Sequence, residues 1–167
     1  MKLIACVHFH GEGAAVAAVA FEDWDAREAS QTFTFRVAEL EKPERGKPDL
    51  RELQCILQLL QEHRLKPEVI LIDAPVHLDA AEAPGPGWRL FDALGGQSAV
   101  IGISTKAMPG MPAQFEVFRE EEARPMIVTC AGIDLGAAKV RVRNMHGKKR
   151  IPTLVKLAAR MARENPG

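Results

Sequence analysis

The sequence lacks any apolar run long enough to cross a membrane. Its longest uninterrupted apolar stretch runs only from Ala14 to Phe21, whereas a membrane-spanning helix needs about 20 such residues. The first residues, Met1 to Ile4, lead directly into a strand-like pattern, without the apolar core and cleavage site of a signal peptide. We therefore expect a cytoplasmic protein that does not bind membranes.

Cysteine is scarce, and several common catalytic motifs are missing. The three cysteines, Cys6, Cys55 and Cys130, are odd in number and widely spaced, so we expect reduced thiols. The sequence contains no Cys-x-x-Cys pair, no P-loop, and no GxSxG or HExxH motif. These absences argue against a zinc ribbon, a P-loop nucleotidase and the hydrolases that those motifs mark.

The remaining composition is that of an ordinary globular protein. Hydrophobic residues make up 47% and charged residues 26% of the 167 residues, and this usage predicts one compact domain over residues 1–167. The net charge of zero hides an asymmetry. The segment from Asp134 to Gly167 has a net charge of +7, and the rest of the chain has a net charge of −7. That asymmetry predicts either an anionic partner for the basic segment or its pairing with acidic elements of the same fold.

The hydrophobic pattern predicts a mixed α/β fold. Strand patterns in residues 2–10, 14–21 and 32–37, joined by short turns, predict a three-strand antiparallel meander. Helices and strands then alternate, which gives a mixed sheet with helices on both faces. These later elements are a helix capped by Asp49, a buried strand Val69–Asp73, a helix Trp88–Leu94, a strand Ala99–Ser104, a strand pair Phe115–Arg119 and Met126–Cys130 around an acidic turn at 120–122, and helices Asp134–Asn144 and Pro152–Arg163.

Asp73 is the strongest candidate for a chemical role. It follows a buried strand, at the position where open α/β sheets present their sites. The alternative is a turn-forming Asp before Ala74 and Pro75. His8 lies near the end of the first strand, where it could be a zinc or manganese ligand or a hydrogen-bonded histidine without a role.

Three further side chains could join Asp73 at the same edge. Asp49 and Glu52 lie at the start of the first helix, where they could form a capping box or bind a metal. Lys106 follows the strand Ala99–Ser104, where it could hold a phosphate, orient a carboxylate, or be an ordinary loop lysine.

The order of segments resembles the endonuclease V family. Four stretches carry the resemblance in order: IACVHF with AVAAVA for the family's "aGvDvsy…aaAAvvv", KPEVILID for "pdlvlvDG", AVIGISTK for "vPtIGVAK", and PMIVTCAG followed by KRIP for "PvyVSpGH…yRlPeptR". The resemblance implies a ribonuclease H-like fold and a nuclease or hydrolase that uses Mg²⁺ or Mn²⁺. It would cut a phosphodiester near a deaminated base of inosine type, in DNA or RNA, as in DNA repair.

The resemblance also assigns roles to residues. It places a metal-binding Asp at Asp73 and the family's lysine at Lys106, and it places a second acid of the FRE motif near Asp49 or Glu52. The first-strand Asp falls on His8, and the His of "GH" falls on Ile133; both are departures. The basic residues of the last segment, Lys148, Lys149, Arg150 and Lys156, are the expected nucleic-acid contacts.

These departures leave two functions open. One is a divergent endonuclease V-like enzyme whose catalytic residues are Asp73, Lys106 and Asp49, with Asp73, His8, Asp49 and Glu52 as metal ligands and with reduced or lost activity. The alternative is a non-catalytic module on the same fold that binds nucleic acid or another protein.

Overall fold

A computed structural model describes residues 1–119 and 124–165 of the protein. This part of the chain forms seven strands, four α-helices and one turn of 3₁₀ helix. The strands are β1 Lys2–His10, β2 Gly13–Phe21, β3 Gln31–Val37, β4 Val69–Ile72, β5 Ala99–Ser104, β6 Glu116–Val117 and β7 Met126–Ala131. The helices are α1 Arg51–Glu62, α2 Pro86–Ala93, α3 Leu135–Arg143 and α4 Thr153–Glu164, and the 3₁₀ turn is Ala113–Phe115.

All seven strands form one mixed sheet in the order β3-β2-β1-β4-β5-β7-β6. β1, β2 and β3 pair antiparallel, which confirms the predicted meander. β4 then lies parallel to β1 on one side and to β5 on the other, and β7 pairs antiparallel with β5 and β6. The carboxyl ends of β1, β4 and β5 therefore meet at one edge of the sheet.

Helices cover both faces of this sheet, as the hydrophobic pattern predicts. Alternate residues of each strand point to opposite faces, so Leu3 and Ile70 pack beneath α1 and α2, whereas Ile4 and Leu71 pack beneath α3 and α4. β2 is buried along its whole length. The fold is thus an α/β sandwich with two apolar layers.

Two predicted element boundaries are corrected by the structure. Asp49 lies one residue before the N-cap of α1, a position that Leu50 holds, and the Asp49 Oδ1 accepts the backbone N–H of Arg51 over 3.1 Å. The predicted strand Phe115–Arg119 is reduced to the 3₁₀ turn and the two residues of β6. The predicted acidic turn at 120–122 lies outside the described residues. No helix in the described ranges combines the length and apolarity that spanning a bilayer requires.

Candidate functional site

Asp73 lies directly after β4, at the edge where three parallel strand ends meet, and it faces solvent there. The chain that follows it crosses closely over β5. The Val76 N–H donates to the Thr129 hydroxyl over 2.8 Å, and a Cβ on Gly102 would lie 2.2 Å from the Ala74 carbonyl oxygen. Packing against the neighbouring strands therefore holds the backbone on which Asp73 is mounted.

Cys6, rather than His8, occupies the first-strand position beside Asp73. The last registered pair of β1 and β4 is Ala5 with Ile72, so Cys6 and Asp73 follow as the next neighbours on the same face of the sheet. His8 lies two residues further along β1, where its ring contacts that of His10 with centroids 4.5 Å apart. The pairing of β1 with β4 therefore places Cys6, and not His8, next to Asp73.

Glu52 approaches Asp73 from the first turn of α1. Burial, together with the charges of Asp73 and Asp49, raises the pKa of the Glu52 carboxyl to about 7. Glu52 therefore lies close enough to Asp73 for the two carboxyl groups to interact, and a metal-binding role for Glu52 stays a prediction. The sequence signal for Glu52 is the tripeptide Leu50-Arg51-Glu52, which keeps the last two letters of the family's FRE motif.

Asp49 is held by its neighbour Arg51. Its two carboxylate oxygens accept hydrogen bonds from the Arg51 guanidinium over 2.7 to 3.2 Å, and the same guanidinium lies 4.8 Å from the centre of the Phe9 ring. The hydrogen bonds from Arg51 lower the pKa of Asp49 below its ordinary value. Asp49 is thus an exposed, ion-paired carboxylate at the outer side of Glu52.

Two exposed cations, Lys106 and Arg163, act electrostatically on this cluster. Partial burial raises the pKa of Asp73, while the positive charge of Lys106 and a hydrogen bond from the Thr105 backbone oppose that rise. Arg163, in the last turn of α4, is close enough to act electrostatically on Cys6. The sequence predicts that Lys106 could orient a carboxylate, whereas the contribution of Arg163 has no sequence signal.

Cys6 is a neutral thiol in this environment. Burial, followed by the negative charges of Asp73 and Glu52, raises the pKa of Cys6 to about 12. A protonated thiol adds no negative charge, and sulfur is a soft donor that magnesium does not select. The described residues also contain no group of three or more His, Cys, Asp or Glu side chains placed to hold one ion. The donor set therefore does not fit a magnesium centre.

The predicted nucleic-acid contacts differ in exposure and in their hydrogen bonds within the protein. Lys148, Lys149 and Lys156 are exposed. Arg150 is half-buried, and its guanidinium donates to the carbonyl oxygens of Thr105 over 2.6 Å and Pro125 over 2.9 Å. Arg150 therefore ties the segment before α4 to the loop that carries Lys106.

No protein-family model matches the sequence, and no curated protein matches it either. Solved structures do match over almost the whole chain. Endonuclease V from Bacillus subtilis superposes with a TM-score of 0.71 at 16% identity, over 97% of this chain and 78% of that one. Human endonuclease V superposes with a TM-score of 0.68 at 17% identity, over 98% of this chain and 83% of that one.

A third structure contains nucleic acid. It is Ciona intestinalis endonuclease V in complex with a 23-mer DNA that contains an inosine followed by a ribo-adenosine, and it superposes with a TM-score of 0.71 at 18% identity, over 98% of this chain and 84% of that one. At these identities the likeness concerns the fold. The chain described here has the ribonuclease H-like fold that the endonuclease V structures share.

Proposed function

We propose that this protein binds nucleic acid with an endonuclease V-like fold and does not carry out magnesium-dependent cleavage. The observation that carries this proposal is the neutral Cys6 thiol beside Asp73, where a magnesium nuclease needs a hard oxygen ligand. Lys106 and Arg163 supply positive charge next to the remaining carboxylates. A binding role needs no metal, because phosphate contacts with lysine and arginine supply most of the affinity.

A separate group of exposed cations also supports binding. The exposed lysines Lys148 and Lys149 and the exposed Lys156 of α4 belong to the +7 segment of the chain. The structural relative from Ciona intestinalis is in complex with an inosine-containing DNA. A strand carrying a deaminated base is therefore the first ligand to test, in both DNA and RNA form.

A second candidate is a divergent nuclease that works with Mn²⁺ or Mg²⁺. The observation that favours it is the convergence of Glu52 and Asp73, which lie close enough for Asp73 to raise the pKa of Glu52. In this reading Asp73 and Glu52 would be the inner metal ligands, Asp49 and His8 would lie further out, and Lys106 and Asp49 would assist Asp73 in catalysis.

One experiment separates the two candidates. Labelled inosine-containing 20-mers and their unmodified counterparts are incubated with the wild type and with Asp73→Asn, in EDTA, Mg²⁺ or Mn²⁺. We expect the wild type to bind in EDTA and to leave the strand intact with either metal. Cleavage by the wild type that Asp73→Asn abolishes would establish the nuclease instead.

Restoring the lost carboxylate gives a matched comparison. Cys6→Asp adds a hard oxygen donor beside Asp73 and is expected to make the melting temperature increase with millimolar Mg²⁺, whereas Cys6→Asn is expected not to respond. A magnesium-dependent increase in the wild-type protein would contradict the proposal, since the native residues would then already form the site.

A further inference from the structure

A second basic site lies apart from Asp73, in a cleft between two connections of the chain. The cleft has a volume of about 720 Å³ and lies between the turn after β2 and the segment that joins α3 to α4, residues 144–152. Its charged lining consists of Arg27, Arg119, Arg143 and Lys148, opposed by the carboxylate of Asp25, with His146 beside them. The lining therefore carries a clear excess of positive charge.

Arg119 fixes the floor of this cleft. Its side chain is 4% exposed, and its guanidinium donates to the carbonyl oxygens of Val142 over 3.2 Å, of Met145 over 2.9 Å and of Gly147. The ring of His146 lies 3.1 Å from the Thr153 hydroxyl, which joins the same segment to the start of α4. The cleft is therefore held in shape by side-chain contacts and carries a buried positive charge at its base.

The other cations of the cleft are available to a ligand. Arg27, Arg143 and Lys148 are exposed, and none of the ion pairs found among residues 1–119 and 124–165 includes them. Like charges gathered without partners repel one another, and an anion bound between them relieves that repulsion. Arginine in particular presents donors that match the geometry of a phosphate.

The position of the cleft relates it to the Asp73 edge. Thr153, the first residue of α4, lines the cleft, and Arg163, in the last turn of α4, lies near Cys6. Ten helical residues at 1.5 Å each separate the two points by roughly 15 Å. At about 3.4 Å per nucleotide along one strand of a duplex, this is a span of roughly four or five nucleotides.

We propose that this cleft binds the phosphodiester backbone of the nucleic acid whose neighbouring nucleotides lie at the Asp73 edge. The inference rests on the proposed function, since it assigns a second contact to the same ligand. The contact is with phosphate alone, so it adds affinity without sequence preference.

The test compares two double variants in a binding titration. Arg27→Ala/Arg143→Ala removes two cleft cations, and Arg45→Ala/Lys66→Ala removes two exposed cations that do not line the cleft. Affinity for a labelled 20-mer is measured in EDTA from 50 to 200 mM salt, and circular dichroism checks that all proteins are folded. Each lost phosphate contact reduces the slope of log K against log salt by about one.

We expect the magnitude of the slope of log K against log salt to fall by about two in the cleft variant and to stay at the wild-type value in the control variant. An unchanged slope in the cleft variant, or an equal loss in both variants, would overturn the cleft assignment while leaving nucleic-acid binding intact. Failure of the wild type to bind any 20-mer would overturn the proposed function and this inference with it.

Discussion

The residue that matters most for interpreting this site is Cys6. Its neighbour Asp73 is predicted from the pattern of an apolar strand that ends in a carboxylate, and the structure places it at the expected edge. Cys6 escapes prediction because a lone buried cysteine has no local motif, and reading β1 by itself favours His8. The missing information is the register of β1 against β4, since only the pairing of Ala5 with Ile72 identifies Cys6 as the neighbour.

The raised pKa of Glu52 predicts that the stability of the protein depends on pH. Because its pKa is raised from 4.5 to about 7 in the folded protein, the native state binds a proton more tightly than the unfolded state between these values. The free energy of unfolding should therefore fall as pH rises through this window, by up to about 3 kcal/mol. Glu52→Gln removes this dependence and should be the more stable protein at pH 8.

The measurement is urea unfolding in EDTA at several pH values from 4 to 8. Glu62→Gln, at the exposed opposite end of α1, is the matched control and should keep the wild-type pH dependence. Identical pH profiles for the wild type and Glu52→Gln would show that Glu52 titrates equally in the folded and unfolded states.

At the scale of elements, the sequence predicts central strands better than element ends. β1, β2, β4 and β5 follow from continuous apolar runs, and the cap of α3 follows from Asp134, whose carboxylate accepts from the Ala137 N–H over 3.1 Å. The start of α1 is mispredicted because the Asp49 side chain binds the Arg51 guanidinium instead of closing a capping box with Glu52. Side-chain competition of this kind depends on geometry that spacing does not encode.

The contact between β5 and the segment after Asp73 gives an element-scale prediction. A Cβ on Gly102 would lie 2.2 Å from the Ala74 carbonyl and 2.9 Å from the Thr129 hydroxyl, so Gly102→Ala should lower the free energy of unfolding by about 1–3 kcal/mol. Gly136→Ala in α3 is the control, because its Cβ would meet only the Asp134 carboxylate at 3.1 Å and alanine favours a helix. Urea unfolding measures both, and equal stability of Gly102→Ala and the wild type would show that the crossing segment can move away.

At the scale of the whole molecule, the described sheet has a protected centre and weaker edges. β4 is buried along its length between β1 and β5, whereas β3 is an edge strand with alternate residues exposed and β6 has only two residues. The topology beyond the meander is harder to predict, because the pairing of β7 with β5 rests on contacts distant in sequence. The charge asymmetry, in contrast, can be read from the sequence. Two residues of the basic segment, Arg143 and Lys148, line the basic cleft.

Hydrogen exchange measured by mass spectrometry should show this gradient. Amides of β4 are expected to exchange only through global unfolding, and those of β3 and β6 through smaller openings that need less free energy. Because β1 packs against α4 in the buried core, its amides should exchange slowly as well. Protection of β3 equal to that of β4 would contradict this ordering.

The crossing of the Ala74–Val76 segment over Gly102 has a consequence for the kinetics of recognition. A carboxylate whose backbone is fixed by neighbouring strands is already in its bound position before a ligand arrives, so little conformational entropy is lost there on association. The side chains left to adjust are the long cations, which reorient in nanoseconds or less. Encounter at this edge should therefore be governed by diffusion and electrostatic attraction, with no slow rearrangement of the protein between first contact and the final complex.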